Sequence, residues 1–291
     1  MHKINKGITL LNTFVIISSL IVTICGVCSF HNEHSYEIMN QYGQCIRIWG
    51  AGIYAHDSYF KAPIFIGSDF TVLVVVIPLL IISFRRLIIN PLLENFIDNF
   101  AMMSLLLYYS ASLAFGVTYN SLHLIYIAFF GACFYCTALL FAKLYTISDK
   151  QNLGHQYHLS KGLKTYLILS GICLYVAWLP DIVISLINKT SLTLIEVYTT
   201  EITYVLDMGI ISPLIFLTLY LLNQKNFIGY VLLRMILKVC IGVGIMLPVQ
   251  TIYQMIAGIS IPISALIIKV FTFVMLGGFA IYFEYQLKRS V

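Results

Sequence analysis

Charged side chains are scarce in this 291-residue chain, where Asp, Glu, Lys and Arg together make up 10% of the residues. Soluble globular domains carry about 25% charged residues. The apolar fraction is 60% and the mean hydropathy is +0.91. This scarcity excludes an ordinary soluble protein, because too few polar groups remain to hydrate a surface, and it predicts that lipid is the solvent.

Motifs for nucleotide and hydrolytic chemistry are also missing. The sequence has no Walker A motif, no Rossmann fingerprint, no His-Glu-x-x-His and no Gly-x-Ser-x-Gly. We therefore expect no nucleotide-driven chemistry and no cofactor. The net charge of +5 lies in short segments between apolar runs, which is typical of membrane topology, so no nucleic-acid partner is predicted.

The seven cysteines do not form a disulfide framework, since six lie in apolar runs and only Cys45 lies in a polar segment. Two pairs have Cys-x-x-Cys spacing, Cys25 with Cys28 and Cys133 with Cys136. The first pair stands where a membrane thiol oxidoreductase would need it. The alternative is that these thiols are small apolar side chains that pack between helices.

Apolar runs long enough to cross a bilayer recur about eight times. A spanning helix needs about 20 apolar residues, and backbone groups in lipid must be satisfied within the helix. The first run is longer than the about 7 to 15 apolar residues of a signal sequence, so it is expected to be retained. We predict an all-α fold, a polytopic integral membrane helix bundle forming one transmembrane domain, 1–291. The predicted helices cover about 8–28, 70–84, 100–118, 122–142, 165–187, 204–222, 227–249 and 262–285.

The distribution of Lys and Arg predicts the orientation. With the N-terminus in the cytoplasm, eleven of these side chains lie in cytoplasmic segments, three in outer segments and three inside helices. An even number of helices then places the C-terminus in the cytoplasm too. The one long connection is the outer loop 29–69, whose second half is aromatic and rich in glycine. We expect this half to lie back on the membrane face or to dip between helices.

Acidic residues gather on the predicted outer side, which holds eight of the twelve. The simplest explanation is that the longer outer loops are exposed to water and carry acidic residues for hydration. It fits Asp57, Asp69, Asp181 and Asp207 less well, because apolar sequence flanks each of them.

Three cations lie inside predicted helices, where a charge is costly and suggests a functional site. Lys269 lies about 10 Å from the outer end of its helix, within reach of Asp69 or Asp207. Such an ion pair would be part of a site or would only fix helix register. Arg234 can extend to the inner interface, whereas Lys238 must face protein or water.

The dipeptide His56-Asp57, with Tyr54 nearby, offers acid–base groups or metal ligands. A His-Asp pair without further ligands is weak evidence, and no metal site is predicted. His123 at the start of the fourth helix is expected to be a hydrogen-bonded histidine, because no second intramembrane histidine is present for a bis-His haem.

Four stretches between about residues 50 and 235 together resemble a family of bacterial polytopic membrane proteins with no assigned activity. They are Tyr54-Ala-His-Asp57-Ser58, Gly67-Ser-Asp69 before a helix with Pro78, Tyr109 through Phe115-Gly116 to Tyr119-Asn120, and Tyr198 through Tyr204 with Leu206-Asp207-Met-Gly209 and Pro213. The resemblance implies the bacterial cytoplasmic membrane as the location and singles out the polar residues in these motifs. It brings no substrate with it.

We expect an outward-facing, acid-rich pocket whose candidate ligand-binding residues are Asp57, Asp69, Asn120, Asp207, Tyr54 and Tyr204. Lys238 and Lys269 are the candidate intramembrane charges. The first hypothesis is binding or transport of a small solute or cation. The second is an enzyme at the outer interface that acts on a lipid-linked substrate. The third is a non-catalytic subunit or partner-binding protein, so whether the chain is an enzyme stays open.

Overall fold

The computed structural model describes residues 4–31, 34–151, 159–263 and 266–289. Within these ranges the chain forms eight helices and one two-stranded hairpin. The strands are β1 (Tyr36–Met39) and β2 (Cys45–Ile48). The helices are α1 (Lys6–Val27), α2 (Ala62–Ile89), α3 (Leu93–Gly116), α4 (His123–Gln151), α5 (Lys161–Asn188), α6 (Ile202–Asn223), α7 (Phe227–Ile256) and α8, which is Leu266–Phe271 followed by Thr272–Arg289.

Six of these helices, all except α3 and α8, are long and apolar enough to cross a membrane. Large apolar side chains cover the outer faces of the helices, for example Leu10, Leu124 and Leu186. Such a surface is stable in lipid and unstable in water. The prediction of an all-α membrane helix bundle is confirmed at this level.

Two helices begin about seven or eight residues earlier than the hydropathy pattern predicts. Helix α2 begins at Ala62, with Pro63 in its first turn, where residue 70 was expected. Asp69 therefore lies inside the helix, and the connection after α1 is shorter than the predicted loop 29–69. Helix α3 begins at Leu93 where residue 100 was expected. Polar residues such as Asp69, Glu94 and Asp98 end an apolar run in the sequence, but the fold provides each of them with a partner.

Wide π-helical turns interrupt three helices, at Val72–Val76, Asp207–Ile211 and Leu266–Phe271. In the first two, the turn closes with a bond across five residues, just before Pro78 in one helix and Pro213 in the other. Proline has no backbone N–H and disturbs the regular ladder, and π-turns often mark functional sites. One such turn follows Asp69 closely, and the other begins at Asp207.

The hairpin and the loop after it cover the end of the bundle at which α1 ends and α2 begins, which we call the hairpin end. Trp49 is fully buried and its indole N–H donates to the Ser29 carbonyl over 2.9 Å. Tyr54 is buried as well. Gly52 has φ +61°, and a Cβ there would lie 2.2 Å from the Ser29 hydroxyl oxygen. The loop thus packs between helix ends, as its aromatic and glycine content predicts.

The opposite end of the bundle contains a balanced network of six charged side chains, which we call the charge network: Arg234, Lys238, Lys288, Glu94, Asp98 and Glu284. Arg234 is at its centre and has no solvent exposure. Its guanidinium contacts carboxylates of α3 and α8, including Glu94 at 2.9 Å and Glu284 at 3.1 Å. Three carboxylates satisfy the charge of Arg234 inside the bundle, so its side chain does not need to extend to solvent.

The charge network predicts a large stability loss for Arg234→Met. This substitution leaves carboxylates buried without their cation, so we expect the free energy of unfolding to fall by about 3 to 5 kcal/mol. Lys288→Met is the matched control, since the Lys288 side chain is 42% exposed. Solvent-exposed ion pairs contribute at most about 1 kcal/mol to the free energy of unfolding. Denaturant unfolding in detergent measures both variants. Equal losses would contradict a central role for Arg234.

Candidate functional site

Three buried carboxylates lie toward the hairpin end of the bundle, and the first is Asp69 of α2. It has no solvent exposure. The Tyr54 hydroxyl donates to Asp69 Oδ2 over 2.6 Å, and the Tyr109 hydroxyl donates to Oδ1. Gly26 of α1 lies against this carboxylate, since a Cβ there would be 1.6 Å from Oδ2. Asp69 of α2 therefore binds α3 and the loop through neutral donors and packs against α1 at Gly26.

The second carboxylate, Asp207, begins the π-turn of α6. The Tyr108 hydroxyl donates to Asp207 Oδ1 and the Trp178 indole N–H to Oδ2, each over 2.8 Å. Tyr108 and Tyr109 are adjacent on α3, and they donate to Asp207 and Asp69 respectively. One turn of α3 thus holds two acids of two other helices.

The third carboxylate, Asp57, is fully buried beneath the loops at the hairpin end. Its Oδ1 accepts from the Thr118 backbone N–H over 3.0 Å and from the Tyr198 hydroxyl over 2.9 Å. Its Oδ2 has no hydrogen-bond partner in the described part of the chain, and the same holds for the Thr118 hydroxyl. Asp57 joins the first loop, the α3–α4 turn and the α5–α6 loop.

Burial raises the pKa of Asp57 to about 7, against the lowering effect of Thr118, Tyr198 and Lys61. Burial also raises the pKa of Glu196, whose carboxylate accepts from the Ser58 hydroxyl. These two loop acids therefore bind protons more readily than exposed carboxylates do.

An ion pair between Lys61 and Glu201 stands at the junction of α2 and α6. The Lys61 ammonium also lies 4.1 Å from the ring centroid of Tyr198. Both members of the pair are largely buried, with side-chain exposures of 12% and 11%. The pair joins the starts of two helices that carry the buried acids.

A cavity of about 270 Å³ lies between α2, α3, α5, α6, α7 and α8 near the hairpin end. Most of its wall is apolar or aromatic. Among the polar side chains in the wall are Lys61, Ser112, Glu201, Thr203, Asp207 and Gln250. A mostly apolar concavity with a few convergent polar groups is the usual form of a small-molecule site.

The cavity includes only part of the predicted site. Asp207 and Tyr204 line it. Asp69 and Tyr54 lie behind the wall formed by Tyr109. Asp57 lies beneath the loops, as described above.

Asn120 lies apart from the cavity, and its side-chain oxygen accepts from the Leu122 N–H at the start of α4. Lys238 belongs to the charge network, with its ammonium 3.0 Å from Glu284. The side chain of Lys269 lies outside the described residues.

Several residues of the cavity were not predicted. Trp178 is one of two tryptophans in the chain, and a tryptophan within an apolar helix needs a partner for its N–H, which is the signal that could have found it. Tyr108 has the same need for its hydroxyl. Lys61 and Glu201 carry no local signal, because their pairing depends on how α2 and α6 meet.

The cysteine and histidine motifs lie away from the cavity. All seven cysteines are free thiols, and Cys136 accepts a hydrogen bond from the buried Asn12 amide over 3.3 Å. His56 is exposed and contacts Tyr36, whereas Asp57 points inward. Among the described residues, no cluster of His, Cys, Asp and Glu could hold a metal ion.

Comparisons give no further guidance, since no family model, curated protein or solved structure matches the chain significantly. The resemblance to a bacterial membrane protein family stays a prediction.

The raised pKa of Asp57 predicts a pH-dependent stability. An exposed aspartate has a pKa of about 3.9, so between about pH 4 and pH 7 the native protein holds a proton that the unfolded chain releases. This stabilisation is fully present below about pH 4 and is lost as the pH rises through about 7. Between pH 5 and pH 8, the free energy of unfolding should fall by about 1 to 3 kcal/mol relative to Asp57→Asn.

Unfolding curves of the wild type and Asp57→Asn at both pH values measure this difference. Glu37→Gln, on the exposed hairpin, is the control and should follow the wild type. A wild-type-to-Asp57→Asn difference that is the same at pH 5 and pH 8 would show that Asp57 does not titrate in this range.

Proposed function

We propose that the chain is a multi-pass protein of the bacterial cytoplasmic membrane that binds a small solute in the cavity and transports it. All eight helices would span the bilayer, with both termini in the cytoplasm and the hairpin end outside. The support for this topology is the excess of Lys and Arg in segments at the opposite end.

The observation that carries the proposal is the cavity of about 270 Å³ with the Asp207 carboxylate in its wall. Among the described side chains, Tyr108 and Trp178 hold the Asp207 carboxylate through neutral hydrogen-bond donors. A carboxylate in a membrane bundle is costly without a compensating charge. A solute with a hydrogen-bond donor or a positive charge would find this carboxylate in the cavity wall.

Two further features favour transport over binding alone. Helix α7 contributes Val243 and Met246 to the cavity and Arg234 to the charge network, so one helix connects the cavity to the charge network. Ion pairs can break and re-form as an end opens and closes. The π-turns with prolines in α2 and α6 weaken those helices beside the cavity, as in the broken helices of many carriers.

Asp57 and Asp69 do not reach the cavity, and their contacts favour a structural role for both. This weakens the enzyme hypothesis, which assigned acid–base or metal-holding roles to these two acids. The alternative of a non-catalytic subunit gives the cavity no role.

The proposal is tested with four probes of different charge: tetramethylammonium, alanine, acetate and glycerol. Purified protein is assayed for a shift of its thermal unfolding midpoint, since a bound solute stabilises the native state. Proteoliposomes are assayed for solute entry by light scattering. We expect at least one probe to raise the midpoint by several degrees and to enter faster than in protein-free vesicles.

The variant Ser112→Phe fills the cavity and should abolish both effects. Thr13→Phe is the matched control, because Thr13 is exposed on the face of α1, and it should behave as the wild type. If none of the four probes distinguishes the wild type from Ser112→Phe in either assay, the proposed function is wrong.

A further inference from the structure

We propose that the α5–α6 loop, residues 189–201, is a lid over the cavity and that a proton bound by Asp57 holds this lid shut. The inference goes beyond the proposed function, since it concerns access to the cavity and does not depend on which solute binds there. Three observations carry it: the position of the loop in the cavity wall, the contacts that hold the loop, and the surroundings of the Asp57 carboxyl group.

The α5–α6 loop forms part of the cavity wall near the hairpin end. Leu194, Thr200 and Glu201 of this loop line the cavity. The loop contains neither helix nor strand, and Ile195 and Tyr198 are its two buried side chains. Irregular connections longer than about 12 residues in a compact domain usually carry a function. Because the loop buries so few apolar side chains, its position depends on polar contacts.

These polar contacts join the α5–α6 loop to the hairpin and to the first loop. The Tyr198 hydroxyl donates to Asp57 Oδ1 over 2.9 Å and accepts from the Ser58 backbone N–H over 3.2 Å. The Asn40 side-chain amide, in the hairpin turn, donates to the Glu196 carbonyl over 2.8 Å. Asp57 is therefore one of the anchors that hold the loop over the cavity.

The backbone at Glu196 favours release of the loop once its anchors weaken. Glu196 has φ +47°, a left-handed conformation that is uncommon for a residue other than glycine. Its carboxylate accepts from the Ser58 hydroxyl and its carbonyl accepts from Asn40. A strained conformation of this kind persists only where the surrounding contacts fix it. Loss of an anchor therefore lets this strain relax as the loop moves away.

The surroundings of Asp57 suit a proton better than a negative charge. Asp57 is fully buried, and neither its Oδ2 nor the Thr118 hydroxyl has a hydrogen-bond partner in the described part of the chain. The Thr118 hydroxyl is close enough to lower the pKa of Asp57. A protonated carboxyl group is a donor, so a proton on Oδ2 can be donated to this hydroxyl. An ionised Asp57 instead leaves Oδ2 buried without solvation, which is costly, and water reaches it when the loops separate.

The neighbouring groups agree with a proton-dependent anchor. The described titratable groups around Asp57 are Lys61 of the first loop, Tyr126 of α4, and Glu196, Tyr198 and Glu201 of the α5–α6 loop. Lys61 favours the ionised form of Asp57, but its ammonium also pairs with Glu201. Tyrosine hydroxyls do not titrate near neutral pH. Burial raises the pKa of Glu196 as well, so both loop acids favour the closed loop when they are protonated.

The closed loop is therefore expected at acidic pH and the open loop at alkaline pH. Burial raises the pKa of Asp57 to about 7 in the closed loop, whereas an Asp exposed to water has a pKa of about 3.9. The stabilisation of the closed loop is fully present below about pH 4 and is lost as the pH rises through about 7. Between pH 5.5 and pH 8, a group with these two pKa values changes the ratio of open to closed loop by up to about thirtyfold.

Hydrogen exchange of the purified wild-type protein at pH 5.5 and pH 8 tests this inference, with each rate divided by the intrinsic rate at that pH. The backbone N–H groups of Ser58, Thr118 and Tyr198 are the reporters, since all three are hydrogen-bonded when the loop is closed. We expect their protection to fall at least fivefold from pH 5.5 to pH 8, while peptides of α7 keep theirs. Unchanged protection of the reporters, or an equal fall in α7, would overturn the inference.

Variants then locate the proton. Asp57→Asn has an N–H donor in place of the acid O–H and carries no charge, so its loop should stay closed at both pH values. Asp69→Asn is the matched control, because Asp69 is likewise a buried acid held by tyrosines but does not contact the α5–α6 loop. It should show the wild-type fall in protection. A fall that persists in Asp57→Asn and disappears in Glu196→Gln would contradict the assignment to Asp57.

The two proposals fail separately, because the exchange measurement contains no solute. If the loop opens with pH while none of the four probes binds, the lid stands and the proposed function is wrong. If a probe binds and enters while the protection of the loop does not change with pH, the proposed function stands and the lid is wrong.

Discussion

A carboxylate in a low-dielectric bundle must be compensated, and this constraint organises the whole structure. The two ends of the bundle meet it differently. At one end, Glu94, Asp98 and Glu284 surround Arg234. At the other, Asp57, Asp69 and Asp207 receive hydrogen bonds from tyrosine hydroxyls, an indole and a backbone N–H, with no cation in direct contact among the described residues. In the first arrangement cations hold the carboxylates, whereas in the second the described contacts of the carboxylates come from neutral donors.

This difference assigns different roles to the acids. Asp57 is sealed, and burial raises its pKa to about 7, so a proton can complete it. Asp69 is enclosed by two tyrosines that donate to it and by Gly26, which packs against it. These contacts hold α1, α2 and α3 together. Asp207 alone of the three borders the cavity. The proposed ligand site therefore contains the one of these three acids that borders the cavity.

The membrane architecture was predictable from the sequence, because apolar runs of spanning length leave few alternatives to helices. The selection of Asp57, Asp69 and Asp207 followed from acids flanked by apolar residues, and all three are buried. Asn120 was chosen through the resemblance motifs, yet its side-chain oxygen accepts from the Leu122 N–H in the turn before α4, since a local motif does not distinguish a turn residue from a ligand. Helix bounds around Asp69, Glu94 and Asp98 were missed, because a polar residue ends an apolar run whether or not a distant partner exists.

The partners themselves were beyond prediction. Arg234 lies 140 residues from Glu94 and 50 from Glu284, and only the packing of α3, α7 and α8 brings them together. The ion pair in the cavity wall likewise depends on tertiary packing. Lys61 of the first loop contacts Glu201, which lies just before α6. Such pairs depend on tertiary structure, and one sequence carries no signal for them.

The proposed topology and transport require that the cavity, which lies near the hairpin end, is reached from the outer side of the membrane and not from the side of the charge network. Labelling of Thr203→Cys, in a chain whose seven native cysteines are replaced by serine or alanine, tests it directly, since Thr203 lines the cavity. A membrane-impermeant thiol reagent should label this cysteine when added outside intact cells and leave it unlabelled when added to inside-out vesicles. Labelling from the inner side alone, or from neither side, would contradict the account.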